Sequence, residues 1–485
     1  MSKLIKTVFK MYQVQDFRHQ PHYGPWAVQS PMPPLWDPES RILGLCFRAF
    51  TVRSAHCVGY PKVKATGAEC EGTVTLKWEG ILKPEDPPPP VALFTESGLR
   101  TRSVDELRGF LTPYLADYGI TRVAHLTGFD SVGLPVHMAV KPQGRSLSSG
   151  SGKGSVHNAS WVSAVMECAE QSVWENLTPD VIHASESSMR QMGLNVVETE
   201  SLAMVRGSPD VFDMGFDWVV GWDIVTGVDV YVPESCVGLG QGWPRSHRPF
   251  VSGSNGLASG AHVLEAVLSG LQEVLERDGM TLNTVATKAP QFDAMALLEA
   301  SAPSVAERIQ RSGLRLEIVD CRTEIGVPTI VAYLYDDHGV AGTFKGAGAG
   351  TSNRIALVRA VTEAAQGRCL IVAGARDDFF EFSRAAGVAT VSKPRDVPLP
   401  SFTDDFSTPV SSLLEAIGWM VERLQACGFN QVIVIRHTRP GDPVQVVRVI
   451  VPGLEGYHFS HSKLGARSVH HRIQRAAAVR GEDER

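Results

Sequence analysis

Three segments of this chain share one layout, a glycine-rich stretch leading into a helical run with spaced polar residues. The first runs Ser148-Ser149-Gly150-Ser151-Gly152-Lys153-Gly154 and leads to Ser163, Glu167 and Glu170. The second runs Ser254-Asn255-Gly256-Leu257-Ala258-Ser259-Gly260 and leads to Glu265, Glu273 and Glu276. The third runs Gly346-Ala347-Gly348-Ala349-Gly350 and leads to Arg359, Glu363 and Gln366. At about 100° per residue, helical positions i, i+4 and i+7 fall within roughly 60° of one another. Ser163, Glu167 and Glu170 therefore share a face, as do Glu265, Ser269 and Gln272, and Arg359, Glu363 and Gln366. Glu276 returns to the Glu265 face about 16 Å further along the axis. The reverse faces are apolar, with Val162, Val165, Ala169 and Val173 in the first helix and Val263, Val267, Leu271 and Leu275 in the second. Two readings of the polar stripes stay open. They are solvated faces of ordinary surface helices, or they line a cleft where glycines and carboxylates meet an anionic, metal-bound ligand.

The remainder is read as strands and helices in alternating blocks. A helix is expected over 103–118. Thr121–Leu126 and Gly128–Val140 read as a hairpin. Trp218–Tyr231, Leu316–Tyr335, Gln431–Arg436 and Val444–Val451 read as strands, and 412–427 as a helix. That favours an α/β (α+β) fold of antiparallel sheets packed with helices. Residues 1–82, with strand-like Gly72–Trp78, form an N-terminal extension. The prolines of 83–99 make a linker, 100–460 form the main domain, and 461–485 a polar tail. The formal net charge of -6 gives no electrostatic case for nucleic acid. No apolar run reaches the ~20 residues of a membrane span. The scattered cysteines suit a reduced, cytoplasmic protein, and Cys46, Cys57, Cys70 and His56 match no zinc spacing.

Familiar nucleotide motifs fail. Gly152-Lys153-Gly154 lacks the Ser or Thr and the first glycine of a Walker A loop. Gly238-Leu239-Gly240-Gln241-Gly242 and Gly346–Gly350 fall short of a dinucleotide fingerprint. Neither a GxSxG elbow nor HExxH occurs.

The ordered set of motifs resembles the YcaO-type family over about 103–455. It comprises Thr121-Arg122-Val123 with Gly133-Leu134-Pro135-Val136, then Ser151–Gly154, Ser163 with Glu167 and Glu170, Ser254–Gly260 and Glu273–Asp278. It continues through Gly346–Gly348, Arg359–Gln366 and Gly374–Asp378 to Val451-Pro452-Gly453-Leu454-Glu455. The resemblance implies an enzyme that uses ATP and Mg2+ to phosphorylate a peptide backbone amide oxygen, so that a nucleophile can add to the carbon. It assigns Ser163, Arg277, Arg359, Glu170 and Glu273 to ATP, and Glu167, Glu265, Glu276 and Glu363 to the metal. It names no catalytic residue. It implies a precursor peptide substrate, a TfuA-type or leader-binding partner protein, and a homodimer. Ala261 stands where many members carry Asn, and Arg436-His437-Thr438-Arg439-Pro440 replaces Asp-Leu-Thr-Arg-Pro. The sequence closes on Val479–Arg485 without the proline-alternating tail typical of azoline-forming members. The resemblance then leans to thioamide formation. An azoline-forming cyclodehydratase, an amidine-forming macrocyclase and a non-catalytic peptide-docking protein are the alternatives.

Overall fold

The computed structural model of the chain describes residues 75–87, 91–96, 98–208, 211, 214–238, 249–284, 291–336, 342–375, 410–456, 462–471 and 473. A hairpin of β1 (Leu93–Thr95) and β2 (Gly98–Arg100) precedes α1 (Val104–Leu111). Strands β3 (Arg122–His125), β4 (Val136–Val140) and β5 (Ser149–Lys153) lead into α2 (His157–Glu175). Next come β6 (Ile182–Ser185), α3 (Glu186–Gln191), β7 (Gly215–Asp223), β8 (Val228–Pro233) and β9 (Leu257–Gly260), which leads into α4 (Val263–Thr284). A third block runs through β10 (Gln291–Asp293), α5 (Met295–Ser301), α6 (Pro303–Ser312), β11 (Arg315–Asp320), β12 (Thr329–Tyr335) and β13 (Thr343–Ala349) into α7 (Asn353–Val372). Helix α8 (Leu413–Ala426), β14 (Ile433–Arg436) and β15 (Gln445–Ile450) complete the order.

These strands form a three-stranded sheet β3-β4-β5, a four-stranded sheet β10-β11-β12-β13 and a six-stranded sheet β6-β7-β14-β15-β9 with β8 on β7. Each ladder between these strands is antiparallel. Helices and antiparallel sheets are thus mixed as expected.

Each glycine-rich segment ends in a strand that runs straight into its carboxylate helix. The glycines of β5 and β13 recur every second residue, so they occupy one face. A Cβ on Gly152 would lie 2.0 Å from the Ser160 carbonyl oxygen, and one on Gly346 would lie 2.2 Å from that of Ala360. The expectation that these glycines approach a ligand is corrected. They let each strand lie against its own helix, and the intervening residues face elsewhere.

Helix α4 is enclosed almost all round. Leu264, Val267 and Leu271 are fully buried, and α8 and β15 contribute Ile417, Met420, Val447 and Val449 to the same core. Its polar residues are therefore inside too, with Glu265, Gln272, Glu276 and Asp278 all buried. For this helix the surface reading of the stripe is excluded.

Four sequence expectations change. The helix expected over 103–118 stops at Leu111, and Thr112–Tyr114 forms a 3-10 turn. Pro113 lacks an N–H, and its ring opposes continuation. Thr75–Trp78, part of the strand-like stretch, joins no ladder. It is tied down instead by the Lys77 N–H donating to the Ile224 carbonyl and Trp222 Nε1 donating to that of Lys77, both at 2.8 Å. Within 83–99 the described residues are tied down, because Asp86 pairs with Arg436 at 2.6 Å, His262 Nε2 donates to the Pro87 carbonyl, and β1 pairs β2. A boundary at 82 would cut between Ile81, in the core, and this tie. The start of the polar tail docks as well. Lys463 N–H donates to the Met204 carbonyl, and Arg467 pairs with buried Asp278 at 2.9 Å. Residues 1–74 with Cys46, Cys57, Cys70 and His56, the Gly240-Gln241-Gly242 run, Arg376–Asp378 and 474–485 lie outside the described residues.

Candidate functional site

The polar faces of α2, α4 and α7 converge, and the strands β5, β9, β13 and β15 supply the residues between them. On α2, Glu167 accepts from the Ser151 N–H at 3.2 Å and from Gln171 Nε2 at 3.4 Å. Ser163 lies one turn before it, half-buried on the same face. Glu170 lies beside the Ser259 hydroxyl of β9, which donates to the Met166 carbonyl at 3.4 Å, and feels Glu273 of α4 and Arg448 of β15. On α4, Glu273 pairs with Arg277 one turn on, at 3.4 Å. On α7, Glu363 pairs with Lys153 of β5 at 2.6 Å. Gln366 Nε2 donates to Ser151 Oγ at 2.9 Å, fastening α7 to β5. Arg359 and Arg277 both act on Glu276 and Glu363.

The charges at this junction are strongly coupled. Burial, with Glu273 and Glu167 nearby, pushes the Glu170 carboxyl well above its ordinary value. Burial raises Glu273 as well, outweighing Arg277, Arg448 and Arg359. Burial and the neighbouring Glu363 push Glu276 up to about 7. Burial also acts upward on Glu363, but Lys153, Arg277 and Arg359 bring it net below the usual range. Lys345 of β13 is held below the usual lysine range, chiefly by burial, although Glu363 and Glu276 oppose the shift. The side chain of Glu363 remains 39% accessible within this crowd, so the group opens to solvent at its α7 side.

This arrangement fits a magnesium polyphosphate on two counts. Gathered buried carboxylates are costly unless a cation neutralises them, and Mg2+ prefers such oxygen donors. Buried polar atoms on these helices and on β15 lack protein partners, among them Arg359 Nε, Gln171 Oε1 and Arg448 Nε, and guanidinium groups suit phosphate oxygens.

The structure brings together Ser163, Glu167, Glu170, Glu273, Glu276, Arg277, Arg359 and Glu363. Glu265 accepts from Thr101 Oγ1 at 2.8 Å and lies 3.5 Å from Arg100 Nε. Arg100 in turn feels Arg359, so Glu265 connects to the same group of charges through these two cations.

Sequence reasoning assigned no role to Lys345, Arg448, Arg100 or Gln171, and it treated Lys153 only as part of a motif. Arg448 carried a usable signal. It is a lone cation inside the apolar strand Val446-Val447-Arg448-Val449, and a buried charge needs partners. It donates to the carbonyls of Gly253, Asn255 and Val237 at 2.8, 2.7 and 3.0 Å.

Residues 151–455 match the family model described as YcaO cyclodehydratase, ATP- and Mg2+-binding. A Rhizobium leguminosarum bv. trifolii protein, known by its place in the tfuA 3′ region, is 34% identical over 381 residues, 74% of this chain and 89% of that protein. Among solved structures, YcaO from Methanopyrus kandleri bound with AMPPCP and Mg2+ superposes with a TM-score of 0.58 at 24% identity, covering 75% of this chain and 94% of that one. A heterocyclase in complex with substrate and cofactor superposes with a TM-score of 0.61 at 19% identity, over 74% of this chain, which spans 53% of that longer protein.

Proposed function

The chain belongs to the YcaO family, whose domain binds ATP and Mg2+, and from that membership we propose that it activates a backbone amide of a precursor peptide for thioamide formation. The observation that carries this reading is the convergence of Glu167, Glu170, Glu273, Glu276 and Glu363 with Lys153, Arg277 and Arg359. Bound, ATP with Mg2+ supplies a phosphoryl group to the amide oxygen, which leaves as phosphate while the sulfur of a sulfide donor adds to the carbon and gives up its proton. Glu167, Glu276 and Glu363 would hold the metal. Ser163, Arg277, Arg359, Glu170 and Glu273 would hold the nucleotide, with Arg359 and Arg277 offsetting phosphate charge. Lys153, bound to Glu363, keeps that carboxylate ionised. Glu265 would join the metal-holding carboxylates, with Arg100 beside it. Such a site works by placement and by charge neutralisation, with no covalent bond to the protein.

The lean to sulfur is supported by the relative named for the tfuA 3′ region, and a TfuA-type protein is the corresponding partner. The rival, azoline formation, is favoured by the word cyclodehydratase in the family description. Mass spectrometry of a co-expressed precursor peptide separates them, because sulfur-for-oxygen exchange adds about 16 Da and cyclodehydration removes about 18 Da, as the chemistry of an activated carbonyl requires. Peptide-dependent ATP hydrolysis should fall by at least about 100-fold in Glu167→Ala and Glu276→Ala, the scale on which lost electrostatic stabilisation acts. Full turnover in those variants would remove them from the site, whereas a parent chain with no peptide-dependent ATP hydrolysis would leave a peptide-docking role as the better account.

A further inference from the structure

We infer that His125, His137 and His157 form a second metal site, of zinc type, on the three-stranded sheet. One ligand nitrogen from each ring lies within 4.8 Å of the others. The three come from separate elements that the fold holds in register. His125 on β3 is the ladder partner of His137 on β4, so both side chains leave the same face. His157 opens α2, which packs on that face. The His125 and His137 rings stack with centroids 4.9 Å apart, and the His157 ring meets that of His125 edge-on at 4.6 Å.

Hydrogen bonding presets the buried ring. Ser160 Oγ donates to the His157 carbonyl at 3.0 Å. Its single proton is thereby used, so it accepts from the Nδ1–H of His137 at 2.7 Å. That leaves the Nε2 lone pair of His137 for a metal, the arrangement in which an outer partner orients a ligating imidazole. His125 and His157 are exposed, and their rings can swing on their side-chain torsions. Tetrahedral ligation at Zn–N bonds of ~2.0–2.1 Å asks for nitrogens about 3.3 Å apart, a closure those two rings can supply. A fourth position would face solvent.

The donors decide the metal class. Three neutral imidazoles suit Zn2+ and its neighbours Cu2+ and Ni2+, whereas Mg2+ takes oxygen ligands. The site is separate from the carboxylate cluster. His137 is the ladder partner of Gly152, whose missing side chain faces α2. Lys153, next along β5, points to the opposite face and meets Glu363. Metal here would pin the first turn of α2 to β3 and β4, beneath the strand that delivers Ser151 and Lys153.

The test is calorimetric titration of the metal-stripped full chain with Zn2+ in excess Mg2+, with Co2+ absorption as a probe of tetrahedral nitrogen ligation. A single equivalent is expected at micromolar affinity or tighter, with a tetrahedral Co2+ spectrum and a raised Tm. The joint variant His125→Ala and His157→Ala, altered only at exposed positions, should weaken binding by at least about 100-fold. Ser160→Ala should weaken it by roughly 10-fold by loosening His137. No Zn2+ binding, or binding that survives the joint variant, would overturn the site. Loss of binding in a His470→Ala and His471→Ala variant would do the same by placing the metal near the C-terminus.

Discussion

At the scale of single residues, the chain hides charges in pairs, and each pair has a measurable consequence. Lys141 and Glu175 lie 2.8 Å apart with side chains 4% accessible, and Glu175 also accepts from the Ser146 N–H and hydroxyl. Burial alone would raise Glu175, but Lys141 and Ser146 win and hold it at about 2. Its folded-state value lies below its unfolded one, so its stabilisation is complete above about pH 4.5 and is lost as the pH falls toward 2. In urea unfolding across that window, Glu175→Gln should show a shallower loss of stability with acid than the parent chain. Lys141→Ala, which strands a buried carboxylate, should cost about 3 kcal/mol at pH 7. Equal acid slopes for the Glu175→Gln variant and the parent would show that Glu175 carries no such linkage. Of these buried charges, the site glutamates were legible because their helical spacing repeats. Arg448 and Lys345 were not assigned, since a single cation in a strand has no period, and the one signal for Arg448 is its place in an otherwise apolar strand.

At the scale of elements, the glycine runs were legible as a repeat but not as strands. Gly, Ser and Ala have little intrinsic preference for a pleated sheet. Only the helix beside them makes glycine the residue that fits. Ser151 and Lys153 then point into the site because Gly150 and Gly152 point at α2. Gly152→Ala should accordingly destabilise by several kcal/mol or prevent folding, because its Cβ would meet backbone atoms of Ser160 and Ala164 at 2.0 and 2.1 Å. Gly367, inside α7, has nothing within 4 Å of such a Cβ. Gly367→Ala should raise stability by roughly 0.5–1 kcal/mol through helix propensity alone. Thermal unfolding of the two variants checks both signs. A Gly152→Ala chain as stable as the parent would mean that β5 does not lie against α2 as described. Helix α1 shows the opposite case, in which local chemistry suffices. Its start, the reciprocal Ser103–Glu106 cap, and its stop near Pro113 are both written in neighbouring residues.

At the scale of the whole molecule, the site is divided among three strand–helix units. Lys153 to Glu363 and Ser151 to Gln366 are direct polar links between the first and third of them. The second unit, α4, faces both with carboxylates that burial and mutual repulsion push toward protonation. That repulsion should make the ligand-free junction weaker than its packing suggests, since Glu170 and Glu273 oppose each other across α2 and α4. Magnesium with a non-hydrolysable ATP analogue, bridging all three units, should stabilise the chain by about 2.7 kcal/mol at a concentration one hundredfold above Kd. The analogue without Mg2+ should give only a small part of that gain, because phosphate charge would then meet carboxylates directly. Glu276→Gln should invert the pattern. The ligand-free protein gains Tm through removal of a like-charge contact, and the increment from Mg2+ with the analogue shrinks. Differential scanning fluorimetry of the parent and this variant, each alone and with the analogue in the presence and absence of Mg2+, measures these states. If Glu276→Gln lowers the ligand-free Tm and leaves the increment intact, Glu276 is a structural residue and the metal lies elsewhere in the junction.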